Sequence, residues 1–381
     1  MKYKELAQLH LAQCETFLNK SKNNSYSDNH KQVYQDTLFK LFNAIKPNSE
    51  NLDGRAIKNF QRQLSFITRS LEFLLDSTLN SIPFEVVSCL DIVMKEWIKN
   101  EEFIIVTSLD NDMDEYCFDP TLATDDSIYQ LILAETGVEF PRRLVQISMP
   151  LVLARDYFSS VTLYHELGHF IDEYYLISSD LSEAIIDYSA FQKQEIELYF
   201  PYTVKQDGPG RKDSLQKLKN HLGEYFCDLF AAQYVGNTSV YYLAYQEISS
   251  SKVTDYTHPS SENRNHLVED FLEGKPNPLL KLIKKFIKEY TKNDLAKRFE
   301  KISGDDFYKF IPLDVQNEQQ LHGVFPYAWD IWLKGTANFL NVADLKMPLL
   351  PESIYKLLNN LMEKSIGNYF IQKDWQKTEI K

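Results

Sequence analysis

Hydrophobic positions recur at helical spacing over most of this chain. In "NFQRQLSFITRSLEFLLDSTL", Phe60, Leu64, Ile67, Leu71 and Leu74 fall on one face of a helix. A polar break, "KPNSENLDG" from Lys46 to Gly54, separates this helix from an earlier one. The pattern changes near Ile82. "EFIIVTS", Glu102 to Ser108, is a short continuous apolar run and predicts a buried strand. "RLVQISM", Arg143 to Met149, alternates and predicts a second. Helix is expected from about Ala154 through "TLYHELGHFID", with further helical stretches to about Tyr202. "TVKQDGPGRKD", Thr203 to Asp213, carries two glycines and a proline and is expected to be a surface loop. Leu215, Leu218, Leu222, Phe226 and Leu229 then predict a firm helix from about Leu215 to Val235. "PNPLLKLIKKFIKEYTKNDLAKRFEK" opens a mostly helical C-terminal region. Its Lys281, Lys284, Lys285 and Lys288 form a solvated stripe opposite Leu282, Phe286 and Tyr290.

Composition narrows the classes. With 381 residues, 44% hydrophobic and 25% charged, the chain is long enough for more than one compact unit and has globular proportions. A net charge of −13 argues against a nucleic-acid binder and against an anionic membrane surface as partner. Cys14, Cys89, Cys117 and Cys227 contain no CxxC pair, so neither a cysteine zinc site nor a disulfide framework is expected. No run approaches the roughly 18 apolar residues of a membrane helix, and no N-terminal h-region is present. These features lead to the expectation of a cytoplasmic protein.

The chemistry is concentrated in "TLYHELGHFID", Thr162 to Asp172. Residues four apart share a helix face, so His165 and His169 can turn their imidazoles toward one ion. Glu166, beside the first histidine, can act on a water at that ion, the arrangement that suits zinc hydrolysis. Gly168 costs about 1 kcal/mol of helix propensity relative to alanine, which fits close approach of another backbone. A catalytic zinc needs a third protein ligand and a free position. Two segments of form ExxxD can supply it: Glu183 with Asp187, and Glu224 with Asp228 in "HLGEYFCDLFAAQYVG". The second is preferred, because its helix has a packed face and small residues that permit close approach. Asp228 would then orient a ligating histidine through its outer nitrogen. Downstream, "DYTHPSSENRNHLVEDF" places His258 before a proline and Arg264 six residues later. His258 is a candidate oxyanion donor, and Arg264 a partner for an acidic residue.

"HELGH", "EYFCDLFAA" and "THPSSENR", in that order, resemble the gluzincin metallopeptidases. The CAAX-prenyl-protease and heat-shock-protease families have HExxH, then ExxxD, then a TH-P segment ending in Arg. "EYFCDLFAA" is also similar to the ligand helix of ImmA/IrrE-type proteases. The resemblance spans about Leu144 to Leu272. It implies zinc ligation by His165, His169 and Glu224 and a general base at Glu166. It also implies an orienting role for Asp228, and transition-state or structural support from His258 and Arg264. The expected fold is α+β and helix-dominated: a zincin-like core with a small sheet packed on the HExxH helix, and helical lobes at both ends. The expected division is an N-terminal helical region at 1–80, the metallopeptidase core at 81–275 and a C-terminal helical region at 276–381.

The expected function is zinc-dependent endopeptidase activity on a protein or peptide, which an edge strand beside the histidine helix would bind in extended form. Two other classes compete. One is an inactive zincin-fold binding or regulatory module, which would have no need of Glu166. The other is a metal-dependent hydrolase of a non-peptide amide or ester. Three remaining signals carry less. "DNDMDE", Asp110 to Glu115, lacks the glycine and bidentate glutamate of a calcium loop. Tyr241, Tyr242 and Tyr245 are expected in the core or on the surface. "FPYAWDIW", Phe325 to Trp332, is expected to pack in the core.

Overall fold

The computed structural model describes residues 2–26, 28–47, 54–77, 82–99, 102–110, 116–188, 190–202, 210–246, 256–335, 339 and 349–379. The chain is helix-dominated, with one small mixed sheet. It divides into two compact units, Met1–Val87 with Asp91–Ala154, and Arg155–Lys381 with Ser88–Leu90.

The first unit holds helices α1 (Lys2–Ser21), α2 (Asn29–Ile45) and α3 (Gly54–Asp76), most of α4 (Phe84–Trp97), and the sheet with α5 (Thr121–Thr124) and α6 (Asp126–Thr136). The predicted stripe on α3 is buried throughout, in one cluster with Leu38, Leu41 and Phe42 of α2. Strands β1 (Phe103–Asp110), β2 (Cys117–Asp119) and β3 (Arg143–Pro150) form the sheet in the order β1-β3-β2. β3 is parallel to β1, with Ile105 opposite Val145, and antiparallel to β2, with Phe118 opposite Ile147. Both predicted strands are present. The edge role expected beside the histidine helix does not fall to Arg143–Met149, because β3 is central and both its neighbours pair with it. Its central place also explains why Leu144, Val145, Ile147 and Met149 are all buried.

The second unit holds α7 (Thr162–Tyr175), α8 (Ile177–Ile186), α9 (Ala190–Glu195), α10 (Arg211–Val235), α11 (Thr238–Gln246), α12 (Ser261–Glu273), α13 (Pro278–Thr291), α14 (Glu318–Lys334) and α15 (Pro351–Glu379). α10 is its axis. From Leu222 to Val235 every residue is buried, and α7, α8, α12 and α14 pack around it. The expected surface loop before α10 lies largely outside the described residues, as does the acidic segment at 111–115.

Two expectations change. The helix expected from Ala154 begins at Thr162. Arg155 takes a left-handed φ of 61°, and Asp156 turns back to accept the Phe158 N–H at 3.0 Å, so the chain enters α7 through a turn. The sheet falls in the first unit, where β1 and β3 pack against α3, and the histidine helix falls in the second. The expected core at 81–275 therefore divides near residue 154. Among the described residues no helix is long and apolar enough to cross a membrane.

Candidate metal centre

Two buried helix faces create the site. α7 buries Thr162 through Gly168, and α10 buries its polar residues Glu224, Asp228 and Gln233 along with its apolar ones. Buried carboxylates require partners, and the partners come from α7 and α12. The crossing is close because of Gly168. A Cβ there would stand 3.0 Å from the Cα and 3.3 Å from the Sγ of Cys227. Only a glycine lets α7 and α10 approach this closely without displacement.

At that crossing the predicted residues converge. His165 Nε2 lies 3.4 Å from Glu224 Oε2, and His169 Nε2 lies 3.5 Å from Glu224 Oε1. Each imidazole thus faces a different oxygen of the Glu224 carboxylate, at about the 3.4 Å that separates donors held tetrahedrally at about 2.1 Å from one ion. The other nitrogen of His165, Nδ1, lies 3.0 Å from Asp228 Oδ1, off the line of a well-formed hydrogen bond. Arg264, buried on α12, clamps Asp228 with Nε–H to Oδ2 at 2.6 Å and Nη2–H to Oδ1 at 2.8 Å. Its Nη2 also lies 3.2 Å from Glu224 Oε2. α12 is set by Ser260, whose hydroxyl accepts the Asn263 N–H at 3.3 Å. His258 Nε2 lies 3.8 Å from Glu224 Oε1, and its Nδ1 contacts the Thr257 hydroxyl at 2.8 Å. The His258 side chain is 52% exposed and that of His169 is 23% exposed, whereas His165 is at 4%. The cluster therefore opens to solvent on the His169 and His258 side.

The electrostatics favour a cation. Burial alone would lower the His165 pKa, but Asp228 and Glu224 outweigh it and raise it to about 10. Burial would likewise raise Glu224 and Asp228, and Arg264 with the histidines holds both below their ordinary values. His169 is pushed down to about 4, chiefly by burial, and so offers a neutral nitrogen. Burial raises Glu166 to about 7. Two ionised carboxylates against one guanidinium leave a net negative pocket. In the metal-free protein the His165 proton occupies that well.

Other candidates fall elsewhere. Glu183, the alternative carboxylate, is half-exposed on α8 and pairs with Arg211 at 3.1 Å. Cys227, dismissed above as a ligand, groups with His165 and His169, with ligand atoms within 4.8 Å of one another. Its position three residues after Glu224 on one helix was the signal for it. Burial, then Asp172, Glu224, Glu166 and Asp228, raise its thiol well above the ordinary value. Glu224 is already ionised, whereas a metal would have to displace the thiol proton to bind Cys227. Phe325, Tyr327, Ala328 and Trp329 of α14 are buried, with the Trp329 indole N–H donating to Phe158 O at 3.3 Å, which is core packing. Tyr241 is exposed and Tyr242 buried, while the side chain of Tyr245 lies outside the described residues. No family model, curated protein or solved structure matches this chain.

Proposed function

We propose that this chain is a zinc-dependent endopeptidase with a zincin-like helical centre, in which His165, His169 and Glu224 hold the metal. The observation that carries the reading is the pair of distances from Glu224 to the two histidines, 3.4 and 3.5 Å, at the open end of a buried anionic cluster. Zinc bound there supplies Lewis acidity, polarising a carbonyl and acidifying a water.

The protein's own groups do the rest. Glu166, beside His165 and raised by burial to about 7 in the metal-free protein, would accept a proton from the attacking water and return it to the leaving amine. His258, half-exposed at the mouth, donates to the carbonyl oxygen as negative charge develops. Asp228 steadies His165 from its outer nitrogen, and Arg264 prevents Asp228 and Glu224 from repelling each other.

A second reading has one observation behind it. With Cys227 as a fourth protein donor the site would be closed, and closed zinc sites are structural. Retention of Glu166 and the protonated state of the thiol favour the open, catalytic site.

The deciding experiment measures zinc content and cleavage of an unstructured protein substrate for the wild type and E166Q. One zinc per chain in both, with activity reduced by about 10²–10⁴-fold in E166Q, supports the proposal. An E166Q protein as active as the wild type sinks it. Zinc bound without any peptide cleavage moves the assignment to the binding module or to a non-peptide hydrolase.

A further inference from the structure

Asp172 has no role in the reading above, yet it is a buried carboxylate on the histidine helix. It lies three residues after His169, on the same face of α7, and is 8% exposed. Its Oδ1 accepts the Ser178 N–H at 2.6 Å and its Oδ2 accepts the Ser178 hydroxyl at 2.6 Å. Ser178 is in the first turn of α8, directly after Leu176, whose left-handed φ of 56° makes the α7–α8 corner. Leu176 provides no side-chain cap, so Asp172 takes that place. α10 passes over this corner at Gly223, where a Cβ would lie 3.4 Å from Asp172 Oδ2 and 3.9 Å from the Ser178 side chain. The next residue on α10 is Glu224.

Two neutral donors satisfy this carboxylate; Lys219 acts on it only through space, and burial raises its pKa above the ordinary value. An ionised carboxylate buried without a cation is costly. Its charge acts on His169 through space, less strongly than that of Glu224, whereas Asp228 stands 3.0 Å from His165.

We propose that Asp172 is a positioning residue for the metal centre. Its charge supports ligation through His169, and its bonds to Ser178 set the corner on which α10 presents Glu224. This rests on the zinc reading above. The asymmetry with Asp228 is physical: Arg264 grips Asp228 at two points, whereas the direct partners of Asp172 are the neutral donors of Ser178.

The test separates charge from scaffolding. D172N keeps an acceptor for the Ser178 N–H but removes the charge. S178A keeps the charge but removes a donor. Zinc affinity is measured on the full chain by competition with a chelating dye, beside the thermal midpoint of the metal-free protein. The expected result for D172N is a Kd about 10–100-fold weaker, with the metal-free midpoint little changed. For S178A it is a lowered midpoint with zinc affinity within about threefold of wild type, since outer-shell charge and not the hydroxyl carries the effect. D172N binding zinc as tightly as wild type overturns the proposal. If D172N does not fold, S178A decides: loss of zinc affinity in step with loss of stability shows a merely structural corner. Failure of the wild type itself to bind zinc would instead remove the metal centre.

Discussion

Gly168 and Cys227 stand in direct backbone apposition: a methyl group on Gly168 would lie 3.0 Å from the Cα of Cys227. The histidines at 165 and 169 flank that point on α7, and Glu224 and Asp228 flank it on α10. The distance between the two helices at this crossing sets the ligand spacing. A G168A protein therefore forces the helices apart. The expected cost is about 1–3 kcal/mol of stability, accompanied by weaker zinc binding. Chemical unfolding and chelator competition measure the two. An unchanged zinc Kd in G168A would mean that the crossing does not govern the site.

The third ligand is decided by comparing two residues one turn apart. E224Q is expected to lose zinc at concentrations that saturate the wild type. C227A is expected to keep one zinc per chain. Zinc at 100 times its Kd stabilises a folded protein by about 2.7 kcal/mol, so the zinc-induced rise in melting temperature should vanish in E224Q and persist in C227A. The reverse pattern would assign the site to His165, His169 and Cys227.

Among the described residues, Arg264 is the guanidinium that reaches both Asp228 and Glu224. Replacing it by methionine leaves two buried carboxylates with the His165 proton alone to offset them. R264M is expected to lose about 3–5 kcal/mol in the metal-free form. Saturating zinc should recover part of this loss, because the ion supplies the missing positive charge. Melting curves with and without zinc read both effects; a melting temperature equal to wild type without metal would refute the role given to Arg264.

His322 on α14 makes stability depend on acidity. Its Nδ1 contacts the Tyr164 hydroxyl at 3.1 Å, its buried Nε2 has no hydrogen-bond partner among the described residues, and burial pushes its pKa down to about 3. Between about pH 3 and 6.5 the unfolded chain binds a proton at this histidine and the folded chain does not. Its contribution to stability is thus complete above pH 6.5 and falls as the solution is acidified, by about 1.4 kcal/mol per pH unit. H322Q lacks this dependence. The stability gap between wild type and H322Q should narrow by about 2 kcal/mol from pH 7 to pH 5. Urea titrations of metal-free protein at the two pH values test it, and parallel curves would rule it out.

Periodicity made α3, α10 and both long strands readable, since those signals lie within a few residues of one another, while α4 and α6 were not anticipated. β2, three residues long, is too short to carry a pattern. Association with the sheet was less readable. An apolar strand shows that it will be buried, not which helix buries it, and the sheet joined α3 in the first unit. Asp172 escaped notice for a related reason. One acidic residue in a helix resembles any surface charge until Ser178 and Gly223 are seen closing over it.

The sequence by itself determined that His165 and His169 share a helix face with Glu166 between them, because helical geometry is local. It also supplied two acidic candidates for the third ligand and favoured Glu224 over Glu183 from the packed face of its helix. The tertiary structure decided that Glu224 faces the imidazoles while Glu183 turns outward to Arg211. That choice depends on which side of each helix is buried against which neighbour. Segments more than fifty residues apart meet only through the packing of the whole unit, and no short stretch of chain encodes it.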